Sequence, residues 1–246
     1  MGELLAVLSG KGGTGKTSVC AGIATALAQQ GKNVLCIDCD VGLRNLDISL
    51  GMTDSGALSF LDVAEGHYPL DRAARHPQYQ TLAFLTAPMN RSADSIAPEA
   101  FEKLLLQAKQ TFDYTFLDAP AGVDAGFQLA AKFADRFLVV TGAGPAAVRD
   151  AARVSDLLEL MGKKNIRLIV NRVDRDMLST VKMTVDDVMD SAGLPLMGIV
   201  LEDPNVTLAA AFGKPLLQYA RRSPSAKAFH KIANRIQGYY EPITLR

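Results

Sequence analysis

The sequence predicts an α/β fold, with one doubly wound, mostly parallel sheet and helices on both faces. Short apolar runs alternate with helix-like segments along all 246 residues. Neither a long Pro/Ser-rich linker nor an internal repeat interrupts the alternation, so residues 1–246 are expected to form a single domain. Apolar residues make up 48% of the chain and charged residues 21%, which excludes a disordered or fibrous protein.

The strands are predicted from seven apolar runs of the kind that forms buried parallel strands. In doubly wound sheets, ligands bind at the carboxyl ends of the strands. Side chains that carry chemistry are therefore expected just after these runs. The predicted strands are Leu4–Ser9, Asn33–Asp38, Thr81–Thr86, Tyr114–Asp118, Arg136–Thr141, Arg167–Asn171 and Gly198–Leu201.

The helices are predicted from the signals at their ends. Three of them stop directly before a glycine, at Gly31, Gly162 and Gly238, as is common past a helix C-terminus. In the remaining one, Ser95 is expected to be the N-cap, and Pro98 lies in the first turn. The predicted helices are Lys16–Gln30, about Ser95–Gln110, Pro145–Met161 and Ser223–Gln237.

A glycine-rich loop follows the first predicted strand and fits the pattern G-x-x-x-x-G-K-[ST]. Its glycines let successive N–H groups point inward as an anion nest, which the next helix N-terminus extends. Lys16 is expected to neutralise β- and γ-phosphate oxygens, and the Thr17 hydroxyl is suited to hold Mg²⁺. The loop predicts a P-loop site for Mg-ATP. The expected nucleotide-binding residues are Gly10, Lys11, Gly12, Gly13, Thr14, Gly15, Lys16, Thr17 and Ser18.

Lys11 adds a second cation to this loop. Lys16 and Mg²⁺ already neutralise the phosphates, and a further buried ammonium is costly unless it finds an anion. If the loop faces a partner, Lys11 can reach the phosphates of the partner's ATP, as an arginine finger does. The alternative is a solvated surface lysine, and the spacing alone leaves both interpretations open.

Three aspartates stand at the ends of predicted strands. Asp38 and Asp40 follow the second strand, and Asp118 closes the fourth. A carboxylate at the end of a strand beside a P-loop can hold a water of Mg²⁺, and Asp118 is placed to do so. Asp40 lies in a glycine-containing loop that can close over the γ-phosphate and orient the attacking water. The alternative for these aspartates is a role in strand-terminal turns.

These motifs together resemble the MinD/ParA family of deviant Walker A ATPases. Lys11 matches the signature lysine of that motif, and the run Gly42–Asp47 is typical of the septum site-determining (MinD) branch. The resemblance extends over the chain to about Tyr239. Its main runs are Lys11–Thr17, Asp38–Asp47, Asp118–Gly122, Ala147–Asp150, Asp176–Leu178, Asp186–Val188, Leu201–Asp203 and Gly213–Pro215.

The resemblance implies roles for particular residues. It implies an ATP-sandwich homodimer in which Lys11 contacts the partner's phosphates, and Asp40 as the carboxylate that serves hydrolysis. It also places Asp38 and Asp118 near Mg²⁺ and gives Asn171 a hydrogen bond to adenine. Thr14 stands where valine is commoner in the family.

The resemblance also implies a function. We expect a slow, partner-stimulated regulatory ATPase that controls placement of the cell-division site, with division-inhibitor and activator proteins as partners. Its expected location is the cytoplasm, with peripheral association at the inner face of the cell membrane as an option. The alternative is a ParA-like, DNA-associated partition or cargo-positioning ATPase, which salt-dependent binding of duplex DNA would favour.

The cysteines favour packing over redox or metal chemistry. Cys36 and Cys39 have C-x-x-C spacing, but they lie in and just after a predicted buried strand. An iron–sulfur carrier of this fold needs cysteines after the Asp118 motif, and none follows Cys39. The remaining cysteine, Cys20, and the absence of a leader-like N-terminus fit a reducing compartment.

The last predicted helix is amphipathic. Phe229, Ile232, Ala233 and Ile236 recur at helical spacing and are expected to pack on the core. Lys and Arg balance Asp and Glu at 26 each, so no specific nucleic-acid partner is expected. Gly238 and Pro242 disfavour a further helix, so membrane association is expected to be weak or absent. Any such association would depend on a basic stripe that comprises Lys227, Lys231 and Arg235.

Overall fold

The computed structural model describes residues 1–89, 91–174, 176 and 184–243. Met177 and Leu178, from one of the runs on which the resemblance rests, lie outside the described residues. The same is true of Thr244, Leu245 and Arg246. The strands form one eight-stranded sheet. They are β1 (Glu3–Leu8), β2 (Val34–Asp38), β3 (Ala74–Arg75), β4 (Leu82–Leu85), β5 (Tyr114–Asp118), β6 (Arg136–Thr141), β7 (Ile166–Val173) and β8 (Leu196–Leu201).

The α-helices of the described residues are numbered in chain order, and two short 3₁₀ helices, Leu70–Arg72 and Ala93–Ser95, accompany them. The α-helices are α1 (Lys16–Gln29), α2 (Leu46–Leu50), α3 (Phe60–Ala64), α4 (Pro98–Thr111), α5 (Ala125–Phe133), α6 (Pro145–Leu160), α7 (Val185–Ala192), α8 (Pro204–Ala211), α9 (Leu216–Tyr219) and α10 (Pro224–Ile236).

The strand order is β3-β4-β2-β5-β1-β6-β7-β8. Each pairing between β4 and β8 in this order is parallel, whereas β3 runs antiparallel to β4 at the edge. The predicted doubly wound, mostly parallel sheet is confirmed, and all seven predicted strands are present. The edge strand β3 was not predicted, because two residues are too few to show a hydrophobic period.

The start of α4 differs from the prediction. Ala97, and not Ser95, is the N-cap residue, and Pro98 is the first helical residue. Ser95 instead ends the preceding 3₁₀ helix, and its hydroxyl donates to the carbonyl oxygen of Ser92 at 2.7 Å. Proline is well suited to the first helical position because its φ is already helical and its missing N–H would have no partner there.

Helices cover both faces of the sheet, so the core has two halves. One apolar cluster includes Phe60 of α3, Phe101 of α4 and Phe127 of α5. The other includes Ile23 of α1 and Phe229 of α10. The C-x-x-C cysteines divide between the halves, because Cys39 belongs to the first cluster and Cys36 to the second. Both are fully buried, which fits the packing interpretation.

The last helix, α10, packs against α1 and β8 as predicted. Its expected core residues are all buried. Two glycines make the close approach possible, since an added Cβ at Gly22 would collide with Phe229 and one at Gly198 with Ile232. No helix in the described part of the chain is long and apolar enough to cross a membrane.

The prediction of a solvated basic stripe on α10 is wrong for one residue, Arg235. The guanidinium group of Arg235 is not presented to solvent as a free charge. It donates to the carbonyl oxygens of Met197 at 2.8 Å, Glu241 at 3.0 Å and Pro242 at 3.0 Å. The residues after α10 fold back over this side chain, which the sequence pattern did not show. Lys227 is exposed, and Lys231 is half-buried.

Candidate nucleotide-binding site

The predicted site residues converge because of the strand order. β5 lies between β2 and β1, and β6 lies on the other side of β1. The register places Asp118 directly beside Asp38 on one side and Val7 on the other. The glycine-rich loop that follows β1 therefore lies next to both aspartates, at the point where the strand order reverses. Ligands of doubly wound sheets bind at such a point.

The loop leads directly into the N-terminus of α1. Gly13 and Gly15 have φ values of 81° and 79°, in the left-handed region that glycine adopts without strain. The first turn of α1 contains no acidic residue. Its N–H groups and the positive end of the helix dipole are therefore available to an anion. An added Cβ at Gly10 would lie 2.5 Å from the carbonyl oxygen of Asp150, which shows how closely the loop packs on α6.

Lys16 is buried and forms an ion pair with Asp118. Its Nζ donates to Oδ1 of Asp118 at 2.6 Å and lies 3.4 Å from Oγ1 of Thr17. Burial lowers the pKa of Lys16, but the charge and hydrogen bond of Asp118 outweigh this effect, so the pKa is raised above its ordinary value. The ammonium therefore stays charged inside the site, at the position where the motif places phosphate oxygens.

Asp38 and Asp40 increase the negative charge around this ammonium. Asp38 is buried, and its carboxylate accepts from the backbone N–H of Asp40 at 2.9 Å and of Leu46 at 3.2 Å. Burial and the charge of Asp118 raise the pKa of Asp38 to about 6. Burial also raises the pKa of Asp40, while Lys16 opposes the change. The site thus holds three carboxylates and one buried ammonium, an imbalance of charge that a divalent cation would relieve.

The donor set suits magnesium better than a transition metal. Within the described residues, no group of three or more His, Cys, Asp and Glu side chains is arranged to hold a metal ion. Mg²⁺ does not need such a group, because it keeps several waters and takes one or two carboxylates together with phosphate oxygens. Thr17, Asp38 and Asp118 fit this requirement. Their assignment as metal residues remains a prediction.

Lys11 lies on the outside of the loop. Its side chain is exposed, as are Gly12 and Gly13 beside it. The Ser9 hydroxyl donates to the Lys11 carbonyl oxygen at 3.1 Å and holds the backbone there. Exposure leaves Lys11 accessible to a partner chain, and the sequence prediction of a contact in trans stays a prediction.

A small pocket of about 180 Å³ adjoins the loop between α1, β7, β8 and α10. Asn171 lies in its wall, and its Nδ2 donates to the carbonyl oxygen of Thr14 at 2.8 Å. The hydrogen bond from Asn171 to adenine stays a prediction. Arg172 and Glu202 also line the pocket, and the sequence analysis missed Arg172. The signal in the sequence was its place directly after the predicted strand Arg167–Asn171. The other lining residues are Gly15, Ser18, Leu201, Asp203, Val206, Thr207, Ser225 and Phe229.

Comparisons with known proteins identify a family of nucleotide-binding domains. The family model described as the CobQ/CobB/MinD/ParA nucleotide binding domain matches residues 5–216. The septum site-determining protein MinD of Synechocystis sp. is 39% identical over 240 residues, which cover 97% of this chain and 90% of that protein. The residues that the family model matches include the phosphate loop, the three strand-end aspartates and the pocket residues up to Thr207.

Two solved structures are also similar. One is a chain of the MinC:MinD cell division protein complex of Aquifex aeolicus, with a TM-score of 0.91, 36% identity and 98% of each chain covered. The other is the septum site-determining protein MinD of Pyrococcus horikoshii complexed with Mg-ADP, with a TM-score of 0.84, 28% identity and 96% of each chain covered. The chain belongs to the CobQ/CobB/MinD/ParA family of nucleotide-binding proteins and, within it, to the septum site-determining MinD proteins.

Proposed function

We propose that this chain is a MinD-like regulatory ATPase that binds Mg-ATP, dimerises around it and hydrolyses it to control placement of the cell-division site. The observation that carries the proposal is the loop Gly10–Thr17 with its buried pair of Lys16 and Asp118. The Mg-ADP in the Pyrococcus relative supports the choice of ligand. The identity to MinD proteins favours division-site placement over the partition alternative.

The buried ion pair has a role in binding. Nζ of Lys16 lies 2.6 Å from Oδ1 of Asp118. Phosphate oxygens that enter the loop compete with Asp118 for the ammonium. With the Lys16 ammonium paired to the phosphates, the Asp118 carboxylate would be free to hold Mg²⁺ and its waters together with Thr17 and Asp38. When bound, Mg²⁺ would neutralise charge that develops on the phosphates.

Asp40 is the residue that we assign to hydrolysis. It is half-buried, and its raised pKa makes the carboxylate a stronger base than an exposed aspartate. From the loop between β2 and α2, it would accept the proton of an attacking water. Reliance on one carboxylate for water activation fits a slow reaction that a partner protein accelerates.

The proposal also assigns a role to Lys11 in dimerisation and names two kinds of partner protein. The exposed Lys11 contacts the phosphates of ATP held by the second copy, so the dimer forms only with nucleotide. The Aquifex structure contains MinC together with MinD, which supports a division-inhibitor protein as one partner of this chain. An activator that speeds hydrolysis would be the other.

Nucleotide binding is the part to test first. Lys16→Ala should weaken ATP binding by roughly 100-fold, as expected for the loss of charged hydrogen bonds. Isothermal titration calorimetry measures the affinity, and circular dichroism verifies the fold. Lys103→Ala, at an exposed position on α4, is the matched control and should bind like the unaltered chain. Unchanged affinity in Lys16→Ala, or no ATP binding by the unaltered chain, would refute the proposal.

A further inference from the structure

We propose that Asn171 and Arg172 are positioning residues that orient the peptide groups of the phosphate loop before nucleotide arrives. The inference rests on the proposed function, because it assigns a purpose to residues around the same loop. Asn171 Nδ2 donates to the carbonyl oxygen of Thr14 at 2.8 Å, and Arg172 Nη1 donates to that of Gly13 at 3.2 Å. Two consecutive residues of β7 thus hold two consecutive carbonyls of the loop.

Because the peptide bond is planar, these contacts also fix the direction of the neighbouring N–H groups in the loop. In a planar trans peptide, the C=O of one residue and the N–H of the next point in opposite directions. When the carbonyls of Gly13 and Thr14 point towards β7, the N–H groups of Thr14 and Gly15 point to the opposite side of the loop. That is the side on which this motif binds phosphate, so the donors are aligned in advance.

The backbone of β7 is distorted at the place where these contacts form. Arg172 has a φ of 55°, a left-handed value that costs a residue other than glycine energy. The register between β7 and β8 also shifts between Val170 and Val173. Consecutive side chains of a regular strand point to opposite faces. The distortion lets Asn171 and Arg172 reach the same loop.

Both side chains are themselves fixed. Asn171 is buried, and its amide lies so close to the loop that a Cβ added to Gly15 would collide with it. Arg172 is exposed, but its Nε donates to Oε2 of Glu202 at 2.8 Å, at the end of β8. Glu202 therefore anchors the guanidinium group that reaches Gly13. A loop containing four glycines has few side chains of its own with which to hold its shape.

The test separates phosphate positioning from recognition of the base. Inorganic tripolyphosphate has the phosphates of ATP but no adenine, so its binding reports on the loop alone. We expect Asn171→Ala and Arg172→Ala each to weaken the binding of ATP and of tripolyphosphate by the same factor of roughly ten. Such a factor corresponds to the loss of about one hydrogen bond. Competition with a fluorescent ATP analogue measures both ligands, and circular dichroism verifies folding.

Control variants distinguish positioning from a general loss of structure. Arg167→Ala, at an exposed position earlier in β7, should leave both affinities unchanged. Arg172→Lys keeps one donor and should recover part of the lost affinity. Glu202→Gln weakens the anchor of Arg172 and should reduce the affinity for both ligands to a smaller extent. If Asn171→Ala fails to fold, this variant still tests the inference.

The outcomes are distinct. A loss of ATP affinity with unchanged tripolyphosphate binding assigns the two residues to the base and overturns the inference. Unchanged binding of both ligands overturns it as well. So does an unaltered chain that binds ATP but not tripolyphosphate. If the unaltered chain binds no ATP at all, the proposed function itself fails.

Discussion

Two threonines three positions apart in the phosphate loop have hydroxyl groups in different environments. Oγ1 of Thr14 is buried and has no hydrogen-bond partner among the described residues. Oγ1 of Thr17 lies 3.4 Å from Nζ of Lys16, beside the carboxylates. A buried hydroxyl without a partner costs about 1–3 kcal/mol, so Thr14 lowers the stability of the fold whereas Thr17 contributes an oxygen to the site.

Replacement by valine should therefore affect stability at position 14 and Mg²⁺-dependent binding at position 17. Thr14→Val should raise the free energy of unfolding by about 1 kcal/mol and leave ATP affinity unchanged. Thr17→Val should remove the dependence of ATP affinity on Mg²⁺. Chemical denaturation measures the first effect, and calorimetry with and without Mg²⁺ measures the second. A destabilised Thr14→Val would show that its hydroxyl has a partner after all.

At the scale of residues, the sequence predicted which side chains meet but not how they are paired. The motif spacing and the strand ends located Lys16, Asp38 and Asp118. The ion pair between Lys16 and Asp118 depends on the register of β5 between β1 and β2, which no local pattern encodes. Arg172 was missed because its left-handed φ lies within a segment that looks like an ordinary strand.

Among the elements, α2 and the β3–β4 hairpin are joined through one imidazole. His76 is buried, and its Nε2 lies 3.1 Å from the carbonyl oxygen of Leu50 at the end of α2. Its Nδ1 accepts from the N–H groups of Gln78 and Tyr79, both at 3.1 Å. An Nδ1 that accepts two hydrogen bonds carries no proton, so the ring is neutral and Nε2 is the donor.

This arrangement predicts a pH dependence of stability. Burial lowers the pKa of His76 below its ordinary value of 6.5. A histidine whose pKa is depressed by folding stabilises the protein fully above pH 6.5, and this contribution is lost as the pH falls below it. His76→Asn should be less stable than the unaltered chain by about 1 kcal/mol at pH 7.5, and the difference should shrink towards pH 5.

Chemical denaturation at several pH values measures this difference. Asparagine can keep the local turn while it removes the bond to Leu50, so the variant isolates the link between the two elements. His67→Asn is the matched control, since the side chain of His67 is 62% exposed. A stability difference between His76→Asn and the unaltered chain that stays constant over this pH range would refute the assignment.

The seven buried strands and the four longest helices were predicted, whereas the helices α5, α7 and α8, of eight or nine residues, were not. The seven apolar runs and the four long helices each extend over several residues. The five-residue helices α2 and α3 and the two-residue strand β3 are too short for a period to be recognised. The boundary at Ser95 was wrong because a nearby serine looked like a cap, whereas Pro98 sets the start of α4.

For the molecule as a whole, the exposed Lys11 leads to a prediction about association. Lys11→Ala should bind ATP with nearly unchanged affinity yet remain monomeric, because the side chain acts across the interface. Asp40→Ala should keep ATP and accumulate as a dimer, since water activation is lost while the phosphate contacts remain. Light scattering with ATP and with ADP measures the mass. A Lys11→Ala chain that dimerises normally with ATP would exclude the role in trans.

The sequence predicted the architecture of the whole molecule better than its surface. The alternation of strands and helices was enough for the doubly wound sheet, since few topologies satisfy it. The basic stripe on α10 depended on helical spacing alone, and Arg235 departed from it. Its guanidinium binds three carbonyls that come from β8 and from the residues after the helix.

The central place of β1 in the sheet has a consequence for synthesis of the chain. β1 ends at Leu8, but its two neighbours begin at Tyr114 and Arg136. The first strand to leave the ribosome therefore has no partner until nearly half of the chain has been made. The carbonyl oxygens of Gly13 and Thr14 gain their hydrogen-bond donors later still, once Asn171 and Arg172 have emerged. Pairings between such distant segments form slowly, so the nucleotide loop, although encoded first, is among the last parts of the molecule to be completed.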